Sequence, residues 1–91
     1  MPQYVIEREI PGVGHLSPME IQAASQRMCD ATQKLDRQVQ WVQSYLADDK
    51  VYCVFIAPNA EMIREHARVS GFPATRISEI RSVIDPTRAE G

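Results

Sequence analysis

His66 is the residue of this sequence best suited to chemistry, because an imidazole titrates near neutral pH and binds metal ions through nitrogen. It follows Met62 by four residues and precedes Val69 by three, so it borders the apolar stripe of a predicted helix. There it acts either as a ligand or proton carrier at a helix–sheet cleft, or as a half-buried packing residue. The other histidine, His15, lies in a glycine-rich loop that matches no nucleotide-binding motif.

Three consecutive charged residues, Glu7, Arg8 and Glu9, end the first predicted strand. Side chains alternate across a strand, so Glu7 and Glu9 share one face while Arg8 points to the other. Two acids on one face can hold a cation, and Arg8 can position an organic ligand. The alternative is a cross-strand ion network with Glu79 and Arg81 of the last strand.

Trp41, Tyr45 and Tyr52 are predicted to form an aromatic wall on a hairpin. A two-residue loop would set Tyr45 opposite Tyr52 and Trp41 opposite Ile56. Such a wall lines a pocket for a small organic ligand, or it belongs to the core or an interface. Cys53, in the middle of the same hairpin, is expected to be a buried small hydrophobe rather than a nucleophile.

Composition narrows the class of protein. The 91 residues suffice for one domain, 1–91, and they carry a net charge of -2 with scattered basic residues, so we expect no nucleic-acid partner. Two cysteines without a C-x-x-C spacing are read as reduced thiols, which suits the cytoplasm. The longest apolar run, residues 51–57, is too short for a membrane, and no targeting segment is recognised.

The chain is predicted to alternate strands and helices. The first helix is predicted to begin with a capping box of Ser17 and Glu20, with Pro18 at its first helical position. The second helix is predicted to begin after Asn59 and to end at Gly71. The predicted strands are residues 3–9, 39–46, 51–57 and 76–84, with a polar tail at 85–91.

This order, βαββαβ, is the split-βαβ arrangement of ferredoxin-like folds, an α+β sandwich with a four-stranded antiparallel sheet and two helices on one face. Right-handed crossovers place the first and third strands at the centre. The third strand is apolar at every position, so both of its faces need cover, and the helices cover one. We therefore expect a homodimer in which a second copy covers the other face.

Three segments carry a resemblance to a known family: Val51–Cys53, Ala57–Glu61 and Gly71–Ala74. Together with the early strand and the capped helix, they resemble a family of small dimeric ferredoxin-like proteins, mostly of unknown function, that includes a nickel-binding member. The resemblance covers nearly the whole chain, and it implies the fold, the dimer and a divalent metal such as nickel as a cofactor.

A nickel site in this sequence would draw on Glu7, Glu9 and His66, with imidazole nitrogen as the preferred donor. With two histidines in the chain, carboxylates or a second subunit would have to complete it. The two acidic residues of this set, Glu7 and Glu9, lie at the end of the first predicted strand.

Three hypotheses for the function follow. The first is a small dimeric protein that binds a divalent metal through those three residues, or a small organic ligand through His66, Tyr45, Tyr52, Trp41 and Arg8. The alternative is a cofactor-free enzyme, similar to an oxygenase, isomerase or cyclase, that acts on a small substrate in the helix–sheet cleft. A third reading is an assembly subunit without a pocket.

Overall fold

The computed structural model describes the backbone of residues 1–90 and the side chains of residues 1–89. Four strands and two α-helices follow one another in the predicted order. Their bounds are β1 Gln3–Glu9, α1 Pro18–Lys34, β2 Gln40–Leu46, β3 Lys50–Ile56, α2 Ala60–Ser70 and β4 Arg76–Glu79. A short 3-10 turn at Val13–His15 precedes α1, and a second one occupies Pro86–Glu90 in the tail.

The strands form one antiparallel sheet in the order β2-β3-β1-β4. The predicted ferredoxin-like fold is therefore confirmed, with β1 and β3 as the central pair. One face of the sheet packs against the helices, and we call it the helix face. The opposite side, which neither helix covers, is called the open face. Side-chain alternation assigns each strand residue to one of the two.

The start of α1 follows its capping box. The Ser17 hydroxyl accepts a hydrogen bond from the Glu20 amide, and the Glu20 carboxylate accepts one from the Ser17 amide. These bonds satisfy two donors that a helix N-terminus otherwise leaves unpaired. The pKa of Glu20 lies below its usual value, because the Ser17 amide, and secondarily the Ser17 side chain, stabilise the ionised carboxylate.

The ends of α2 also lie where the sequence places them. Asn59 accepts a bond from the Met62 amide at the N-terminus. Gly71 ends the helix in the left-handed conformation, with φ of 82°, and its amide donates to the Ala67 carbonyl. This conformation strains a residue with a Cβ atom, so glycine suits the position.

The apolar third strand alternates in its burial. Val51, Cys53 and Phe55 are buried on the helix face, whereas Tyr52, Val54 and Ile56 on the open face are half-buried. The strand is central, as predicted, and the apolar side chains of its second face retain partial exposure in the single chain.

A β-bulge in β2 changes the predicted pairing of the hairpin. Tyr45 lies opposite Tyr52 as expected, but Trp41 pairs with Phe55, not Ile56, because Val42 is an extra residue in the ladder. One extra residue moves every preceding side chain to the other face. The bulge therefore places Trp41 on the helix face, and the predicted wall of three aromatic residues is wrong.

The last strand is shorter than predicted and ends at Glu79 rather than residue 84. The Ile80 amide donates to the Gln3 carbonyl, and β1 begins at Gln3, so residues beyond Ile80 have no strand left to pair with. Val83 and Ile84 are accordingly exposed. The frayed tail predicted for residues 85–91 stays a prediction: residues 86–90 form a 3-10 turn, of which residues 86–89 are exposed, and Gly91 lies outside the described residues.

We predict that Ser17→Ala lowers the free energy of unfolding by about 1 kcal/mol, because the first turn of α1 loses its cap. Urea denaturation followed by circular dichroism measures the change. Ser25→Ala is the matched control, since the Ser25 hydroxyl only bonds back to the Ile21 carbonyl within α1. Equal effects of the two substitutions would contradict the role of the cap.

Candidate ligand-binding cavity

A cavity of about 390 Å³ lies between α1 and the helix face of the sheet. Its helical wall includes Ile21, Ala24 and Met28. Its sheet wall includes Arg8 of β1 and three residues of β2, namely Trp41, Ser44 and Leu46. The volume is in the range of small-ligand pockets, and the wall is mainly apolar with few polar groups.

The space exists because α1 carries small side chains at this level. Ala24 and Ser25 are half-buried wall residues whose side chains are too short to cross the gap, and the neighbouring Ala23 is exposed at its edge. The bulge in β2 contributes from the other side, because it brings Trp41 onto the helix face. Both features come from local sequence, and together they define the width of the cavity.

A chain of hydrogen bonds crosses the sheet wall. The Trp41 indole donates to the Ser44 hydroxyl over 2.8 Å, and Ser44 donates to the Cys53 sulfur over 2.9 Å. Nε of Arg8 donates to the same sulfur over 3.4 Å. Cys53 is fully buried, as expected for a packing cysteine. The three hydrogen bonds that meet at Ser44 and Cys53 fix the position of Trp41 relative to Arg8.

Arg8 is only 1% exposed, although it carries a charge. Its Nη1 donates to the Pro73 carbonyl over 2.8 Å and lies 3.5 Å from the Phe72 carbonyl oxygen. The rings of Phe55 and Phe72 each lie 6.0 Å from its Cζ, at the outer limit of a cation–π contact. The remaining nitrogen, Nη2, is buried and has no hydrogen-bond partner among the described residues.

Glu7 and Glu9 lie on the open face, on the opposite side of β1 from Arg8, as alternation predicts. Glu7 forms an ion pair of 3.6 Å with Lys50 of β3. The predicted ion network with Glu79 and Arg81 is wrong: those two residues pair with each other at 3.3 Å. The shortened β4 ends before Arg81, which therefore has no place in the ladder.

His66 is fully buried where α1, α2 and β3 meet. Its Nε2 lies 3.2 Å from both the Met28 carbonyl and the Thr32 hydroxyl, and its ring packs 4.9 Å from that of Phe55. A carbonyl only accepts, so Nε2 carries the proton and the buried Nδ1 is left without a partner.

Burial lowers the pKa of His66 from its usual value, and the charge of Arg8 lowers it further, against the opposing effect of the bond to Met28. The residue is therefore a neutral packing histidine at pH 7. It does not line the cavity.

The structure separates the residues predicted to bind a metal. Glu7 and Glu9 lie on the open face, whereas His66 packs behind the helix face, so one chain does not bring the three together. Among the described residues, no three His, Cys, Asp or Glu side chains are grouped as metal ligands. The described residues of a single chain therefore offer no group of three donors that fits a nickel site.

The residues predicted to bind an organic ligand are divided as well. Arg8 and Trp41 line the cavity. Tyr45 and Tyr52 face each other on the open face, and His66 lies in the core. Sequence reasoning missed Ser44 and the small residues of α1. Ser44 is polar in a strand of mixed character, but only the bulge shows that it shares a face with Trp41.

The fold and the cavity define a ferredoxin-like α+β domain with a small-molecule-sized pocket beneath α1. The model of the SCO4226-like family, described as "Nickel responsive protein SCO4226-like", matches residues 4–80. The chain belongs to this family, as its resemblance implied.

A solved structure supports the same fold. SCO4226 from Streptomyces coelicolor A3(2) is 19% identical in sequence and superposes with a TM-score of 0.75, covering 90% of this chain and 99% of that one. No curated protein matches the chain significantly. Among the described residues, no helix has the length and apolar character needed to cross a bilayer.

We predict that acid destabilises the protein through His66. Its folded-state pKa is lowered, so below about pH 6.5 the unfolded chain binds a proton that the native chain resists. The contribution of His66 to stability is therefore fully present above about pH 6.5 and declines as the pH falls, by about 1.4 kcal/mol per pH unit at most for one group.

Urea midpoints at pH 7.5 and 5.5, measured at one protein concentration, test this. In His66→Gln the difference between the two midpoints shrinks, while His15→Gln, which replaces an exposed histidine, keeps it. An unchanged difference in His66→Gln would show that other groups cause the decline.

Proposed function

We propose that this protein binds a small organic molecule in the cavity between α1 and the helix face of the sheet. The observation that supports the proposal is the cavity itself, about 390 Å³ with an apolar wall and the polar groups of Arg8, Ser44 and Trp41 on its sheet side. At roughly 30 Å³ for a water-sized group, it has room for about a dozen non-hydrogen atoms. No second subunit has to be assumed for this site, because the residues that line it all belong to one chain.

Nickel, suggested by the family description, is the weaker candidate for this chain. The described part of one chain assembles no three ligands of the kind that nickel prefers, so a nickel site would need donors from two subunits. Catalysis is also less well supported. A cofactor-free enzyme needs a group at the substrate that transfers a proton. Neither histidine lines the cavity, and the one carboxylate of the described wall, Glu20, accepts the bond from the Ser17 amide that caps α1.

We predict that Ala24→Phe fills the cavity and weakens binding of octanamide, a neutral probe of suitable size, at least tenfold. Trp41 is the one tryptophan of the chain and lies on the wall, so its fluorescence reports occupancy directly. Gln22→Phe is the matched control, because it adds the same ring to an exposed position of α1 outside the cavity. Equal affinities in the two variants would place the binding site elsewhere.

We also propose that the protein is a homodimer formed through the open face. Val5, Tyr52, Val54 and Ile56 make a half-buried apolar centre on β1 and β3. The face carries both signs of charge, with Glu7 on β1 and basic residues on both neighbouring strands, Lys50 and Arg76. A two-fold axis sets a face against itself, and a face of mixed charge then pairs opposite signs.

Val54→Lys is expected to convert the dimer to a monomer, because it introduces a charge in the apolar centre of the face. Sedimentation equilibrium at micromolar concentration should show twice 10.3 kDa for the wild type and 10.3 kDa for the variant. Val83→Lys, at an exposed position between β4 and the tail, should remain dimeric. A wild-type mass of 10.3 kDa would refute the dimer.

A further inference from the structure

Arg8 is a buried cation in the cavity wall without an anionic partner in the described part of the chain. The ion pairs of residues 1–89 join other residues: Glu7–Lys50, Glu61–Arg64, Glu65–Arg68 and Glu79–Arg81. The acceptors that Arg8 does have are two carbonyl oxygens and the sulfur of Cys53, and no carboxylate is among them. A guanidinium keeps its proton in proteins, so the wall carries a full positive charge.

The hydrogen bonds of Arg8 leave one end of the guanidinium unused. Nε bonds to Cys53 and Nη1 to Pro73, which hold the group in place on two sides. Nη2 is buried with its donors unpaired. A buried charge with an unpaired donor destabilises a fold, and an apolar residue of similar size would avoid this. Arg8 therefore suits a partner that comes from outside the chain.

The other ionisable groups of the wall are already engaged or face solvent. The Glu20 carboxylate serves the capping box of α1. The guanidinium of Arg27 donates twice to the Ser70 carbonyl and packs 4.2 Å from the ring of Phe72, and its side chain is exposed. Arg8 alone combines burial, a free donor and a place on the cavity wall.

We propose that the ligand of this cavity is a monocarboxylate with an apolar body. This inference rests on the proposed function and names the chemical class of the ligand. The carboxylate pairs with Nη2 of Arg8, and the body packs against Trp41, Ile21 and Leu46. A single buried guanidinium with one free nitrogen matches one negative charge, whereas a phosphate dianion needs more donors than this apolar wall provides.

Reaching Nη2 requires a small movement of the wall. Neighbouring protein atoms cover this nitrogen in the present structure, so the carboxylate has to displace one of them. Phe72 is the side chain best placed to move, because it lines the cavity and follows Gly71 at the end of α2. Binding should therefore change the environment of Trp41 and the mobility of the segment after α2 together.

The decisive experiment compares octanoate with octanamide, two chains of equal length that differ in charge. Calorimetry and Trp41 fluorescence at pH 7.5 should show octanoate binding to the wild type at least tenfold more tightly. Arg8→Met should abolish this preference, so that octanoate binds the variant no more tightly than octanamide does. Arg64→Met is the control, because it removes an exposed arginine of α2 and should preserve the preference.

The outcomes separate the two proposals. Equal binding of octanoate and octanamide by the wild type would overturn the proposal of a carboxylate ligand. The cavity would then remain a candidate site for uncharged molecules. Failure of both ligands to bind refutes the proposed function as well. The comparison of ligands on the wild type needs no variant, so it decides the question even if Arg8→Met does not fold. Where that variant folds, an octanoate preference that survives in it also overturns the role of Arg8.

Discussion

The burial of a guanidinium beneath a four-stranded sheet is the constraint on which the rest of this structure depends. Arg8 sits on β1, a central strand, and alternation sends it to the side that the helices cover. Its charge is tolerated because the carbonyl groups after α2 turn toward it, and this requires α2 to end at Gly71 and the chain to cross back beneath β1. The position of α2, the segment after it and the inner wall of the cavity are thus linked to one side chain.

The two faces of the sheet have different roles. The helix face holds the core, the neutral His66 and the cavity, whereas the open face presents apolar side chains of β1 and β3 bordered by charges of both signs. Because side chains alternate along β1, Arg8 lies on the helix face and Glu7 lies on the open face. An organic ligand and a second subunit would therefore occupy opposite sides of the same strands, and neither would obstruct the other.

Much of the fold follows from local signals, because these act over a few residues. Ser17 and Asn59 start their helices through hydrogen bonds to amides within one turn, and Gly71 ends α2 through its own backbone freedom. The bulge at Val42 carries no such signal, since an extra residue is visible only when two strands are paired. That single residue decides on which side of the sheet Trp41 lies, and it accounts for the failure to predict the cavity wall.

The candidate site shows the same division between local and long-range information. The alternation of Glu7, Arg8 and Glu9 was predictable, because it depends on strand geometry alone. The environment of Arg8 was not, since its partners Phe72 and Pro73 come from a segment more than sixty residues away. A fold shared with SCO4226 at 19% identity therefore leaves the ligand open: the sheet and helices persist, but the groups that meet a ligand are set by individual side chains. In the proposed cavity site, the buried positive charge would favour an organic anion over a metal cation, which a guanidinium repels.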